Sequence, residues 1–160
     1  MKPGPEIALV SVDAGKLALT HRPKKTDFRA LRALGVTHVI TLLNENEGAQ
    51  SLGAIATNEG LSWIWCPLKG ADINAPLDAV RAGLEAGKAA LAAGGGVIIH
   101  CSAGIHRTGM FGYALLRVAG LAREAALEKL RELRAVTAEG VGSDRLDWGD
   151  RIAEELGRSG

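Results

Sequence analysis

The chain has 160 residues, of which 47% are hydrophobic and 4% aromatic, and its formal net charge at pH 7 is +1. This length suits one domain over residues 1–160 with a sizeable core, in which residues 1–6 form a flexible Pro/Gly leader. The near-zero charge excludes a global field that would recruit nucleic acid or an anionic membrane, so any anion must bind at a local site. Neither a signal peptide nor a membrane-spanning apolar stretch is evident, which predicts a cytoplasmic protein without stable membrane insertion.

Hydrophobic periodicity and turn residues divide the chain into alternating strands and helices. The predicted elements are, in chain order, a strand hairpin (7–12 and 16–20), a helix from Thr26 or Asp27 to Leu34, a strand (36–43), a short helix (48–60), a strand (61–68), a helix (76–93), a buried strand (97–99), helices at 110–118 and 122–135, and a last helix from Ser143 or Asp144 to Leu156. This order predicts the α/β class, with a central mixed, mainly parallel sheet of four or five strands and helices on both faces.

Polar and aromatic residues near the strand ends allow more than one interpretation. The basic loop at residues 21–25 is expected to be solvated rather than to bind substrate. Glu45 and Glu47 could orient an arginine of the site, but a solvated strand end is the preferred interpretation. Trp63 and Trp65 alternate along a predicted strand, so they should share one face and pack on the sheet.

The stretch from Val97 to Gly109 predicts a buried strand, a small loop at residues 101–107 and the start of a helix. Such a loop points backbone N–H groups inward and the helix dipole adds positive charge, so the concavity can bind a tetrahedral oxyanion. Gly104 lies where the loop needs an unusual φ, and the planar fork of Arg107 can hold two phosphate oxygens. The predicted substrate-binding residues are Ser102, Ala103, Gly104, Ile105, His106 and Arg107.

Cys101 is the predicted nucleophile, because a helix N-terminus and a nearby cation favour the thiolate form. Thr108 could hydrogen-bond the sulfur and steady it both as nucleophile and as leaving group, and His100 should buttress the loop through its ring nitrogens. Taken singly, such a cysteine is usually a core residue and such an arginine usually a solvated charge. Their combination with Gly104 at this spacing favours catalysis.

The run from His100 to Gly109, His-Cys-Ser-Ala-Gly-Ile-His-Arg-Thr-Gly, resembles the signature loop of the cysteine-dependent protein tyrosine phosphatases, in particular their small dual-specificity branch. A weaker pattern at residues 31–42 extends the resemblance over roughly residues 10–140. It implies a general-acid aspartate on a mobile loop upstream of the cysteine, a position that Asp72 occupies. Such a carboxylate protonates the departing oxygen and can then activate water. Asp78 is the alternative, although its place suits the first turn of a helix.

The resemblance implies hydrolysis of phosphotyrosine and phosphoserine or phosphothreonine through a cysteinyl-phosphate, with no metal or cofactor because loop N–H groups and Arg107 supply the charge stabilisation. The partner would be a phosphorylated protein or a small phosphomonoester, not nucleic acid. A phosphoinositide or inositol phosphate is the alternative substrate, since His106 could contact an extra phosphate. Two other classes are a non-catalytic phosphate-binding module and a rhodanese-type sulfurtransferase. Cys66 could form a protecting disulfide with Cys101, but an inert thiol is the preferred interpretation.

Overall fold

The structure, a computed structural model, describes residues 7–159, and the predicted leader at residues 1–6 lies outside them. Within the described range the strands are β1 (Val10–Val12), β2 (Gly15–Thr20), β3 (His38–Thr41), β4 (Ser62–Trp65) and β5 (Gly96–His100). The helices are α1 (Phe28–Ala33), α2 (Ala49–Asn58), α3 (Leu77–Ala92), α4 (His106–Val118), α5 (Arg123–Leu133), α6 (Ala135–Gly140) and α7 (Ser143–Ser159), and a short 3-10 helix (Glu45–Glu47) precedes α2.

The five strands form one sheet in the order β1-β2-β5-β3-β4. β1 runs antiparallel to β2, and every other neighbouring pair is parallel, which confirms the predicted mixed, mainly parallel sheet. The register aligns Thr20, His100 and Thr41 across the last rung of the three central strands. Because parallel strands end at the same edge, the loops that follow β2, β3 and β5 converge there.

Helices cover both faces of the sheet, as predicted. On one face α1 and α2 bury Phe28 and Leu52 in a cluster with Ile98 of β5. On the other face α3, α4, α5 and α7 build the larger cluster, which includes Phe111 and Trp148. Val80, Leu84 and Leu91, on α3, are all fully buried. No helix in residues 7–159 is long and apolar enough to cross a membrane.

The central position of β5 in the sheet explains why its sequence is a continuous apolar run. It lies between β2 and β3 and is covered by helices on both faces, so all five of its residues are buried. Such a strand carries a continuous apolar run rather than an alternating one. The chain leaves the sheet at Cys101 and enters α4 at His106, so the loop predicted to bind an anion lies at the carboxyl edge.

Two short helices were missing from the prediction, and each has a local cause. The 3-10 helix Glu45–Glu47 is closed by a capping box, in which the Glu47 side chain accepts a hydrogen bond from the Asn44 backbone N–H at 3.0 Å. Arg134 has an extended backbone (φ −165°, ψ 106°) that interrupts the predicted helix 122–135, so α5 ends at Leu133 and α6 starts at Ala135. Both additions lie beside the loop after β5.

Candidate active site

Gly104 shapes the loop between β5 and α4. Its φ is +74°, a left-handed value that confirms the predicted unusual backbone angle. A Cβ atom at this position would lie 2.5 Å from the carbonyl carbon and oxygen of Thr20 and 2.6 Å from the backbone nitrogen of His21. The loop can therefore press against the end of β2 only with glycine at this position.

The backbone carbonyls of the loop are bound from outside. The Ser102 carbonyl accepts a hydrogen bond from the Arg22 backbone N–H at 2.9 Å. The Gly104 carbonyl accepts from Arg134 Nη1 at 2.7 Å and from Thr137 Oγ1 at 2.5 Å. In a planar trans peptide the N–H points away from the C=O, so the following N–H groups turn to the inner side of the loop. A concavity of this kind at the start of a helix can bind an anion.

Arg134 and Thr137, which bind the loop carbonyls, were missed by the sequence analysis. Arg134 Nη1 also lies 3.2 Å from the Ala103 carbonyl and 3.2 Å from Thr137 Oγ1. Both residues come from the junction of α5 and α6, and Thr137 is fully buried. The sequence carried no signal for them, because the helix that positions them was not predicted.

Cys101 lies at the base of the loop, and its side chain meets Thr108 as the sequence suggested. Cys101 is 3% exposed, and Thr108 Oγ1 donates a hydrogen bond to its Sγ at 3.0 Å. Thr108 is fully buried in the first turn of α4, where the helix holds its hydroxyl in place. A donor at this position stabilises negative charge on the sulfur.

His100 joins the loop to the sheet through a chain of side-chain contacts. Its Nε2 lies 2.8 Å from Thr41 Oγ1, which accepts a hydrogen bond from Trp63 Nε1 at 2.8 Å. His100 Nδ1 lies 3.3 Å from the Cys101 carbonyl, so a ring proton on Nδ1 would donate to that carbonyl and leave Nε2 to accept from the Thr41 hydroxyl. Burial lowers the pKa of His100 to about 4, so the ring is neutral near pH 7. His100 therefore lies behind the loop, in the place predicted for a buttress.

Arg107 is held by Glu47, and this outcome corrects the preferred interpretation of Glu47 as part of a solvated strand end. Arg107 Nη1 and Nη2 donate to the two carboxylate oxygens of Glu47 at 2.7 and 3.0 Å. The hydrogen bond from Arg107 is the main reason that the pKa of Glu47 falls to about 2, and the same contact raises the pKa of Arg107. A guanidinium has five N–H donors, so the edge formed by Nε and Nη2 can still donate to another group. Glu45, by contrast, is exposed.

A depression of about 420 Å³ opens over the arginine. Its lining residues are Asn44, Asn46, Glu47, Gly70, Ala71, His106 and Arg107. Gly70 and Ala71 belong to the loop that carries Asp72, and both have left-handed backbone angles (φ +57° and +54°). The loop is tied to α7, because its Ala75 carbonyl accepts a hydrogen bond from Trp148 Nε1 at 2.9 Å.

The two candidate acids lie in different surroundings. Asp72 is exposed, and its Oδ1 accepts a hydrogen bond from the Asn74 backbone N–H of the same loop at 2.9 Å. Asp78 is also exposed but lies in the first turn of α3, as its sequence position indicated. Asp72 is therefore the carboxylate whose loop borders the depression.

The other predicted loop residues separate into two groups. Ser102, Ala103 and His106 are exposed, and His106 also lines the depression. Ile105 is half-buried and faces α6, because a Cβ at Gly140 would lie 2.6 Å from its Cγ2. His106 is thus the loop side chain that borders the space above Arg107.

The basic loop at residues 21–25 is solvated only in part. Lys24 and Lys25 are exposed, as expected, whereas Arg22 is half-buried and its guanidinium donates to the Glu47 carbonyl.

Cys66 and Cys101 are both free and buried. Burial raises the pKa of the Cys66 thiol to about 11, which fits the preferred interpretation of an inert thiol.

Cys101, which accepts a hydrogen bond from Thr108, and Arg107 lie on one strand–loop–helix segment, an arrangement that fits a cysteine-dependent phosphatase. A family model described as "Polymorphic toxin system, DSP-PTPase phosphatase" matches residues 15–120. The chain belongs to this family and is a cysteine-dependent phosphatase of the tyrosine and dual-specificity branch. No curated protein sequence matches the chain at a significant level.

Solved structures support the same fold. Kinase associated phosphatase (KAP), with its catalytic cysteine replaced by serine, is 16% identical with a TM-score of 0.79, and the match covers 98% of each chain. PTPMT1 is 20% identical with a TM-score of 0.75, covering 95% of this chain and 98% of that one. A cysteine-to-serine variant of P. aeruginosa TpbA in complex with phosphotyrosine is 20% identical with a TM-score of 0.64, covering 99% and 93%.

Proposed function

We propose that the protein hydrolyses phosphotyrosine and phosphoserine or phosphothreonine in proteins through a cysteinyl-phosphate intermediate. The observation that carries this proposal is the 3.0 Å hydrogen bond from Thr108 Oγ1 to Cys101 Sγ, at the base of a loop whose carbonyls are bound from outside. A sulfur that accepts a hydrogen bond beneath an anion-binding concavity is suited both to attack phosphorus and to leave it.

In the first step, the phosphate binds to the loop N–H groups and to the free edge of Arg107. The Cys101 thiolate attacks phosphorus, so that the S–P bond forms while the bond from phosphorus to the leaving oxygen breaks. Asp72 donates its proton to that oxygen, which leaves as an alcohol or phenol. The loop N–H groups and Arg107 stabilise the charge of the transferring phosphoryl group, which removes the need for a metal ion.

In the second step, water attacks the cysteinyl-phosphate. The Asp72 carboxylate takes a proton from the water, the O–P bond forms and the P–S bond breaks. Sulfur departs as a thiolate that Thr108 stabilises, and inorganic phosphate is released. The aspartate is then protonated again and ready for the next substrate.

Phosphotyrosine is supported as a substrate by two observations. The structurally similar TpbA variant is complexed with phosphotyrosine. In this chain the space above Arg107 is an open depression with a volume of about 420 Å³, which leaves room for an aromatic ring above the phosphate.

An inositol phosphate or phosphoinositide is the second candidate, and His106 is the residue that favours it. His106 is exposed and lines the depression next to Arg107, where its protonated ring could bind a second phosphate. Under this alternative the chemistry at Cys101 is unchanged, and only the substrate differs.

The proposal is tested by hydrolysis of p-nitrophenyl phosphate with a chelator present, for the wild type, Cys101→Ser, Arg107→Lys, Asp72→Asn and Asp78→Asn. We expect turnover by the wild type, none by Cys101→Ser, and a strong loss for Asp72→Asn but not for Asp78→Asn. An inactive wild type that still binds vanadate would indicate a phosphate-binding module. Loss of activity with the chelator, restored by a divalent metal, would contradict the metal-independent mechanism.

A further inference from the structure

A second depression, with a volume of about 490 Å³, adjoins the one above Arg107. Its lining residues are Asn44, Glu45, Asn46, Trp65, Pro67 and Lys69. Asn44 and Asn46 line both depressions, so the two form one continuous surface. A molecule whose phosphate lies on Arg107 can therefore extend to the surface beside Trp65.

Trp65 gives this second depression a rigid apolar wall. Its Nε1 donates a hydrogen bond to the Leu43 carbonyl at 2.8 Å. Its ring stacks on Trp63, with centroids 5.6 Å apart and planes 15° apart. Because the indole is already fixed at both its edge and one face, little conformational entropy is lost when a ligand packs against it and Pro67.

The charges around Trp65 select against a second phosphate. Glu45 and Lys69 both line this depression, so its charged groups are balanced rather than cationic. Asn44 Nδ2 already donates to Glu47 Oε1 at 3.1 Å, whereas the amide of the exposed Asn46 offers both a donor and an acceptor, which match the N–H and C=O groups of a peptide backbone. An apolar wall beside this amide therefore fits a peptide residue better than a phosphorylated inositol.

We propose that this second depression binds an aromatic or proline side chain next to the phosphorylated residue of a peptide substrate, with Trp65 as the specificity-determining residue. The inference rests on the proposed function and extends it by naming a feature of the preferred substrate. Aromatic side chains fit because they are flat and stack on an indole, and proline fits because its compact, rigid ring can pack its C–H groups on the indole face.

The test compares phosphotyrosine peptides that differ in one residue. An alanine-based peptide receives tryptophan or proline at each of the two positions before and after the phosphotyrosine, and kcat/KM is measured for each peptide and for the all-alanine parent. For the wild type we expect at least one position to raise kcat/KM by roughly fivefold to tenfold. For Trp65→Ala that ratio should fall to about one, since the wall is gone.

The ratio within each variant cancels general losses of folding or activity. Leu34→Ala is the matched control, because it removes an exposed apolar side chain at the far end of the sheet and should keep the wild-type ratio. If Trp65→Ala does not fold, Pro67→Ala, at an exposed site, replaces it and should reduce the ratio in part.

Each remaining outcome has a distinct meaning. Turnover of p-nitrophenyl phosphate and of all peptides with no flanking preference would overturn the subsite and leave the proposed function intact. A preference that persists in both Trp65→Ala and Pro67→Ala would place recognition elsewhere and also overturn it. An inositol bisphosphate preferred over every peptide would overturn the peptide assignment, and no turnover of any substrate would overturn the proposed function itself.

Discussion

Replacing Glu47 by glutamine should weaken catalysis by loosening Arg107. The glutamine keeps the size of the side chain but replaces two hydrogen bonds between opposite charges, of 2.7 and 3.0 Å, with at most one bond from the guanidinium to a neutral amide oxygen. The side chains of Arg107 and Glu47 are only 13% and 30% exposed, so solvent screens this pair less than a surface pair. The loss of positioning should amount to about 1.5–3 kcal/mol, or roughly a tenfold to hundredfold decrease in kcat/KM.

The measurement is kcat/KM for p-nitrophenyl phosphate between pH 5 and pH 8, together with vanadate inhibition. Glu45→Gln is the matched control, because it removes a neighbouring exposed carboxylate and should stay near wild type. Since Arg107 holds the pKa of Glu47 at about 2, the carboxylate is ionised throughout this range and the deficit of Glu47→Gln should not vary with pH. A Glu47→Gln enzyme with wild-type activity, or an equal deficit in Glu45→Gln, would refute this reasoning.

Three other predictions concern the loop and the histidine behind it. Gly104→Ala should abolish turnover and vanadate binding, because its Cβ would lie 2.5 Å from the Thr20 carbonyl; near-normal kinetics would contradict the tight fit. Arg134→Met should raise KM roughly tenfold, because the Gly104 carbonyl loses its hydrogen bond, and Arg134→Lys should restore part of the loss. A lower melting temperature with an unchanged KM would show that Arg134 has only a structural role. The pKa of His100 is about 4 in the folded chain, so the unfolded chain binds a proton first as pH falls. The free energy of unfolding, measured with urea, should therefore fall by about 3 kcal/mol between about pH 6.5 and pH 4. His100→Asn should remove this pH dependence.

The sequence predicted well those parts of the fold that depend on residues close together in the chain. The apolar run of β5 is buried because two strands and two layers of helices surround it, and the same run ends at the loop that carries Cys101. The contact between Cys101 and Thr108 follows from the loop returning to the first turn of α4. Local pattern and short loop length were sufficient for these features.

The parts that the sequence did not predict depend on contacts between distant segments. Whether Glu47 faces solvent or Arg107 depends on how the loop after β3 approaches α4, and the polar sequence there permits both. Arg134 reaches the Gly104 carbonyl only because its own extended backbone turns the chain between α5 and α6. A polar residue in a loop gives no sign of such a partner until the sheet order is known.

The covalent intermediate is the central claim, and it can be trapped directly. Wild-type protein is mixed with a phosphotyrosine peptide, quenched in acid within milliseconds, digested and analysed by mass spectrometry, with Cys101→Ser and Cys66→Ser as controls. We expect the peptide that contains Cys101 to gain the mass of one phosphoryl group in the wild type and in Cys66→Ser, and the adduct to accumulate when Thr108 is replaced by alanine. Steady turnover without any phosphoryl adduct on Cys101 in either the wild type or Thr108→Ala would contradict the two-step mechanism.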